Sequence, residues 1–262
     1  NRLSMVSNPF RGLRRKRQTG FIYIADERRD LRFAGAVPGD EIRNETRDAP
    51  WIVVDRTLDG VLVTSWPGSL WEVEVLDAIR PQNHEGDYTR AVAVRILRTV
   101  PPHELFGPHG EAVAWILDRA IELTREEAET LSQHRAANAG LLYSRAWMNW
   151  DGLPDDKRVF EDWEGIIGAG GTVPVSPVGR GLSAIFNSVC ATAIRLFGDN
   201  AWYTTDGPDV EDPDMHLAEP WFTASLCLIE AAMALGAPHL IPDADRTTLT
   251  APWRALTRPS LS

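Results

Sequence analysis

The stretch that decides the fold is Trp51–Val100, which reads WIVVDRTLDGVLVTSWPGSLWEVEVLDAIRPQNHEGDYTRAVAVRILRTV. Residues 70–76 alternate apolar and charged side chains, a pattern typical of a half-buried strand. Residues 88–100 repeat the alternation and predict a further strand. The Trp66-Pro67-Gly68 segment marks a turn, because proline presets φ and glycine admits positive φ. The stretch therefore predicts mostly antiparallel strands joined by turns.

The β pattern continues on the N-terminal side of this stretch and ends just after it. Residues 21–25 and 51–54 predict two more strands, whereas residues 56–65 fit either a short helix or a strand. Two consecutive prolines, Pro101 and Pro102, end the β region because proline cannot continue a hydrogen-bonded ladder.

Helical periodicity replaces strand alternation after these prolines. Thr124 and Glu127 form a capping-box pattern, which predicts a helix from about Arg125 to Trp150. Apolar spacing predicts four other helices, at 111–123, 180–197, 221–235 and 245–258, and residues 151–177 are a connector rich in glycine, proline and aspartate. The sequence thus predicts an α+β protein with a basic arm at 1–17, a β-rich domain at 18–102 and an all-α region at 103–262.

Charge is distributed unevenly along the 262 residues, whose net charge is −10. Residues 1–17 contain no acid, and their six basic residues are Arg2, Arg11, Arg14, Arg15, Lys16 and Arg17. The rest of the chain has 21 basic and 37 acidic residues, a net charge of −16. A body this acidic repels nucleic acid, so contact with nucleic acid is expected only through the arm. We expect the arm to be disordered, with docking onto the acidic body and binding of an anionic partner as alternatives.

The tryptophans, the cysteines and the most apolar run indicate what class of protein this is. Ten tryptophans are spread along the whole chain, and that spread favours core packing over a single binding surface. Cys190 and Cys227 each lie in an apolar, helix-like run, which predicts two buried thiols in a cytoplasmic protein rather than a disulfide. The most apolar run, residues 221–241, contains Glu230 and Pro238, so no membrane span is expected.

A Glu-x-Glu pair, Glu72 and Glu74, provides the candidate catalytic residues. One class of ADP-ribosyltransferases combines an arginine, a Ser/Thr strand motif and such an acidic pair. Here Ser65 precedes Glu72 by only seven residues, which is too few for two strands separated by a substrate-binding loop. The simpler interpretation is that both carboxylates lie on a solvated face, opposite the apolar side chains of the same strand.

A second acidic group lies between two of the predicted helices. Its candidate partner-binding residues are Asp206, Asp209, Glu211, Asp212 and Asp214. The order of acids and glycine does not fit a calcium-binding EF-hand loop, so a solvated loop or a negative patch for a basic partner is expected. No complete zinc or nucleotide-binding motif accompanies it, and the sequence predicts neither a metal nor a cofactor.

The segment Leu58–Val75, with its Pro-Gly turn and aromatic-x-Val-Glu-Val strand, resembles a pattern in uncharacterised bacterial proteins of actinobacterial type. The closing strand at 90–99 and the tail motif Leu249-Thr250-Ala251-Pro252-Trp253-Arg254 extend the resemblance. The resemblance covers roughly 50 residues of the first part and a short piece of the tail. The resemblance implies a two-part architecture and no activity.

The expected function is protein interaction. We predict a non-enzymatic, cytoplasmic accessory or immunity-like protein that binds a protein partner through an acidic surface. The alternative is a nucleotide-using transferase or hydrolase with Glu72 or Glu74 as the acid. A third hypothesis is anion binding through Arg14, Arg15, Lys16 and Arg17.

Overall fold

Five antiparallel strands form a barrel-like sheet at the N-terminal end of this α+β protein. The computed structural model describes residues 17–28, 30–82, 86–152, 159–162, 172–175, 177–204 and 215–257. The five strands are β1 (Thr19–Ala25), β2 (Glu41–Arg43), β3 (Ile52–Asp55), β4 (Gly68–Ala78) and β5 (Tyr88–Val100).

The sheet closes on itself through four of these strands. Strand β4 pairs with β1 and β5, β5 pairs with β3, and β3 returns to β1 at the Phe21–Asp55 pair. Register shifts between β4 and β5 interrupt the ladder after Glu72 and after Val75, and such bulges bend long strands. Strand β2 pairs with β5 on the edge that β3 also uses.

Glycine at position 20 permits the closure of the barrel. A Cβ on Gly20 would overlap the carbonyl oxygen of Asp55 and stand 2.6 Å from Cγ1 of Val54. Backbone and a buried valine cannot move aside cheaply, so β1 and β3 approach this closely only with glycine here. The interior then fills with apolar side chains, among them Ile22, Phe33, Ile52, Val54, Trp71, Val73, Val94 and Ile96.

Six helices follow in the part of the chain that the structure describes. They are α1 (Gly110–Glu122), α2 (Arg125–Gln133), α3 (Ala139–Asp151), α4 (Pro177–Phe197), α5 (Trp221–Gly236) and α6 (Asp243–Thr257). Two short hairpins accompany them, β6 (Val159–Asp162) with β7 (Thr172–Val175), and β8 (Trp202–Thr204) with β9 (Met215–Leu217).

The predicted capping box is confirmed, but the helix that follows it is shorter than predicted. Thr124 accepts a hydrogen bond from the Glu127 backbone N–H, and the Glu127 carboxylate accepts one from the Thr124 N–H. The prediction of one helix from Arg125 to Trp150 is wrong, because α2 ends at Gln133 and α3 begins at Ala139. The intervening HRAAN ends in Asn138, which occupies the N-cap of α3 without a side-chain capping bond and belongs to a residue type that disfavours helix interiors.

One continuous apolar cluster joins the barrel to the helices. Leu70 and Val100 are paired at one end of the barrel, and both are fully buried. They pack in the same cluster as Phe106 and the inner faces of α1, α4 and α5. This end of the barrel is therefore covered by helices rather than by solvent.

A buried arginine fastens this junction. Arg180 of α4 donates from Nε and Nη2 to the Leu105 carbonyl oxygen, at 3.2 and 2.8 Å. Its Nη1 donates to the Asp59 carbonyl oxygen, and its Nη2 stands 3.4 Å from the Asp59 carboxylate. Because only 4% of the Arg180 side chain is exposed, the cation is held almost entirely by groups from both sides of the junction.

A second buried charge pair lies among the helices. Glu230 of α5 is 2% exposed, and Arg135 reaches it with contacts of 2.5 Å (Nη2 to Oε1) and of 3.2 and 3.1 Å (Nε to the two carboxylate oxygens). The hydrogen bond to Glu230 raises the pKa of the Arg135 guanidinium, which keeps that side chain charged. The pair joins the α2–α3 connection to the centre of the helical part.

Tryptophans occupy three kinds of position among the residues described. Trp71, Trp150, Trp221 and Trp253 are buried, which agrees with the core interpretation. Trp51, Trp66, Trp147 and Trp202 are half-buried. Trp115 is 57% exposed, so core packing does not account for it.

One helical window in the described chain satisfies the length and composition of a membrane span. It is Val178–Ala201, with a mean hydropathy of 1.3 and half of its residues buried inside the protein. Core helices satisfy the same criterion, and α4 packs against α1 and α5. The window is weak support for a membrane span, and the predicted absence of a membrane contact stays a prediction.

Candidate functional site

The Glu-x-Glu pair of β4 is engaged by arginines on neighbouring strands. Glu74 lies opposite Arg95 of β5, and Arg95 Nη1 donates to its carboxylate at 3.1 Å. Arg17 approaches the same carboxylate at 3.2 Å, and Arg95 also bonds Glu41 of β2 at 2.5 Å. The hydrogen bond to Glu41 is the main cause of a raised pKa at Arg95, with Glu74 adding to it.

The expectation that both glutamates lie on a solvated face is wrong for Glu74, which is 7% exposed. The strands on either side of β4 and the two arginines cover it. Glu72 is more open, with 27% of its side chain exposed, and Arg98 donates to it from Nε at 2.6 Å. Each acid is thus part of a cross-strand ion pair that stabilises the sheet.

Most of the other sequence-predicted site residues lie outside the described residues. Those are Asp206, Asp209, Glu211, Asp212 and Asp214 of the acidic segment, and Arg14, Arg15 and Lys16 of the basic arm. Arg17 is described, and it is 75% exposed while it contacts Glu74. The arm therefore joins the barrel beside the ion pairs of β4 and β5.

Helix α1 presents a face that sequence reasoning did not identify. Glu111, Trp115, Asp118 and Glu122 are spaced at i, i+4, i+7 and i+11, and all four are exposed. Residues with this spacing lie on one side of a helix within about 60° of arc. We refer to these four residues as the acidic tryptophan face.

The indole at the centre of this face is held in place. Trp115 packs edge-to-face on Trp253 of α6, with ring centroids 5.1 Å apart and ring planes at 82°. Trp253 is only 3% exposed, so it gives the outer ring a rigid support. A large aromatic side chain that is exposed yet fixed loses little entropy when a partner covers it.

The carboxylates around this indole are largely uncompensated. Among the residues that the structure describes, no cation lies within ion-pairing distance of Asp118 or Glu122. Asp118 accepts a 2.7 Å hydrogen bond from Nε1 of Trp66, which orients its carboxylate. The nearest base to Glu111 is His103, at 3.8 Å. The face is therefore negatively charged around an aromatic centre.

Neither cysteine has the environment of a reactive thiol. Both are free and buried. Burial raises the pKa of Cys190 to about 11 and that of Cys227 to about 12, and Glu230 adds to the second shift. Within the described ranges, no group of three or more His, Cys, Asp or Glu side chains is arranged to hold a metal ion.

Comparison with known proteins identifies no relative: no protein family, no curated protein and no solved structure matches this chain. The resemblance to actinobacterial-type proteins therefore stays a prediction.

Proposed function

We propose that this is a non-enzymatic protein-interaction protein, which binds a basic protein partner through the acidic tryptophan face. The observation that supports this function most directly is Trp115, a rigid indole that is 57% exposed among three carboxylates. Tryptophan is enriched among the residues that dominate binding energy, and exposed large aromatics are uncommon without such a role.

The exposed area of Trp115 is large enough to matter for binding. If a tryptophan buries roughly 200 Å², an exposed fraction of 57% corresponds to about 115 Å². At ~25 cal/mol per Å², complete covering contributes about 3 kcal/mol before the costs of association. A single side chain of this kind can therefore decide whether a complex of moderate affinity forms.

The carboxylates contribute mainly to the choice of partner. Exposed ion pairs add only ~0.2–1 kcal/mol each, but an acidic patch accelerates encounter with a basic partner and repels acidic ones. The net charge of −16 outside residues 1–17 acts in the same direction. The acidic segment at Asp206–Asp214 is included in the proposal as a second negative surface, on the strength of its sequence.

The proposal also includes an accessory or immunity-like role in the cytoplasm. Two free, buried cysteines support a reducing compartment, since neither forms the disulfide that an oxidising compartment would favour. Bacterial origin rests on the sequence resemblance described above.

A matched pair of variants tests the interaction face. Purified wild type, Trp115→Ala and Met148→Ala would each be used to capture basic proteins from extracts of the native host. Met148 on α3 is a suitable control because it is 60% exposed, apolar and distant in sequence from α1. The captured protein would then be purified and its affinity measured by calorimetry.

We expect Trp115→Ala to weaken this affinity by about 30-fold or more, which corresponds to at least ~2 kcal/mol, while Met148→Ala leaves it unchanged. Glu122→Lys should also weaken the affinity, and the loss should be larger at low salt than at 1 M salt, because salt screens the charge interaction. Equal affinity for wild type and Trp115→Ala would contradict the proposal.

The alternative of a nucleotide-using transferase or hydrolase acting through Glu72 or Glu74 makes a different prediction. Such an activity should be lost in Glu72→Gln or Glu74→Gln while protein capture is retained. The ion pairs of both carboxylates with arginines explain their presence structurally, so this alternative has less support.

Anion binding by Arg14, Arg15, Lys16 and Arg17 is a separate proposal, supported by the charge of the arm. Removing residues 1–16 preserves Arg17 and its contact with Glu74. If the arm binds nucleic acid, the shortened chain should be retained less by immobilised single-stranded DNA, and equal retention would contradict it.

A further inference from the structure

A cleft with mixed polar and apolar walls lies where the barrel meets the helices, and no residue of the acidic tryptophan face lines it. Its volume is about 430 Å³. One wall comes from the short 3-10 turn after β1 and from the segment before β4, and contains Glu27, Arg28 and Ser65. The opposite wall comes from α4 and contains Asn187 and Arg195.

The walls of the cleft are held at a fixed separation. Asn187 Nδ2 donates to the Thr64 carbonyl oxygen at 3.0 Å, which ties α4 to the barrel across the cleft. The Tyr23 hydroxyl donates to the Ser65 carbonyl oxygen at 2.8 Å and fixes the position of Ser65. A site whose walls are already positioned binds a small ligand without the cost of ordering them.

The polar groups of the cleft retain capacity for a ligand. Ser65 Oγ donates to one carboxylate oxygen of Glu27, which leaves the other oxygen able to accept. Arg195 uses Nη2 to bond the Ile121 carbonyl oxygen at 3.2 Å, and a guanidinium has further N–H donors. Among the described residues, Arg28 forms no ion pair.

The charges specify the kind of ligand. Glu27, Arg28 and Arg195 give the cleft a net charge of +1, with both signs present. A simple anion would meet the carboxylate unfavourably, and a simple cation would meet two guanidinium groups. A small zwitterion with a net charge of −1 complements all three, because its ammonium can reach Glu27 while its acidic groups face the arginines.

We propose that this cleft binds an amino acid that carries a second acidic group. The volume agrees with such a ligand, since it lies near the lower end of the ~300–1,000 Å³ typical of small-molecule pockets. The half-buried Trp66 ring forms an apolar boundary beside the polar groups. The cleft adjoins the acidic tryptophan face through the Trp66–Asp118 hydrogen bond but shares no residue with it. The two proposals concern different ligands, so either can fail without the other.

Calorimetry and NMR titration with defined small molecules test the proposal. The binding set is L-glutamate, L-aspartate and L-2-aminoadipate, which all have the same net charge at neutral pH. L-glutamine lacks the second acidic group and glutarate lacks the ammonium, so these two molecules separate the contributions of charge. We expect at least one of the three acidic amino acids to bind, and to bind about tenfold or more tightly than either comparator.

Variants then locate the binding. Glu27→Gln and Arg28→Gln change exposed side chains and should each weaken binding by about tenfold or more. Arg254→Gln is the matched control, because Arg254 is also exposed but does not line the cleft. Trp115→Ala should bind the amino acid normally. The proposal is overturned if no acidic amino acid binds below about 10 mM, if glutarate binds as tightly, or if Glu27→Gln and Arg28→Gln leave the affinity unchanged.

Discussion

The buried pair of Arg135 and Glu230 allows a sharp test of how charge is accommodated among the helices. Glu230 is 2% exposed, and three contacts of 2.5 to 3.2 Å join it to Arg135. In Arg135→Met, the glutamate keeps its buried position but loses its counter-charge. Breaking such a pair from one side costs ~3–5 kcal/mol, and since 23% of the Arg135 side chain is exposed we expect about 3 kcal/mol.

The double variant Arg135→Met with Glu230→Leu should recover most of this loss. Replacing both charges removes the cost of burying them, and apolar replacements of buried pairs are often neutral or stabilising. We therefore expect the double variant to lie within about 1 kcal/mol of wild type, and at least ~2 kcal/mol above the single variant.

Urea unfolding followed by circular dichroism at the helical minimum measures these free energies. Arg246→Met is the control, because Arg246 pairs with Asp243 at 2.6 Å but the Asp243 side chain is 90% exposed. An exposed pair of this kind contributes at most ~1 kcal/mol. The reasoning is refuted if Arg135→Met costs no more than Arg246→Met, or if the double variant is no more stable than the single one.

Two further predictions concern buried groups. At pH 8 the native protein should resist iodoacetamide at Cys190 and Cys227, because their raised pKa values keep nearly all of both thiols protonated. Mass spectrometry should detect both adducts only in denaturant, and labelling of the native protein would refute the burial argument. Gly20→Ala should lower the free energy of unfolding by roughly 1–3 kcal/mol, because the added methyl overlaps the Asp55 carbonyl. The control is Gly140→Ala in α3, where an added Cβ would lie 3.6 Å from Nη2 of Arg135, at ordinary contact distance, and should be neutral or slightly stabilising. Equal effects at the two positions would contradict the steric explanation.

Local pattern was sufficient to predict the longest strand of this fold and the first of its helices. The alternation at 88–100 predicts β5 with its observed bounds, and apolar spacing predicts α1 to within one residue at each end. The α+β class follows from those elements and is confirmed. Strand β2 was missed because it has three residues, and it exists only through its pairing with β5, more than 50 residues away.

The sites were harder to predict because exposure depends on distant residues. Alternation places Glu74 opposite the apolar side chains of β4, but Arg17 and Arg95 cover it only once the barrel has closed. The even spread of tryptophans along the chain predicts core positions for them, and this prediction is wrong for Trp115. The sequence does carry a sign of its exposure. Acidic residues stand at i−4, i+3 and i+7 from Trp115, so they share its side of the helix, and such neighbours are unusual for a residue that faces the core. The cleft between the barrel and α4 combines residues up to 168 positions apart, from Glu27 to Arg195, so no local pattern could reveal it.

The closure of the barrel has a consequence for synthesis on the ribosome. Strand β1 pairs with β3 and β4, but the ring is complete only when β5 is available up to Val100. At ~5–20 residues per second, about 4–16 s pass between the emergence of Thr19 and that of Val100. Strand β1 has an unpaired edge until β4 has emerged, and β3 and β4 lack their β5 partner for the whole interval. The apolar end of the barrel at Leu70 stays uncovered for longer, until the helices have emerged. The nascent chain is thus most exposed to mispairing before its first hundred residues have emerged, and a pause in translation there would lengthen that exposure.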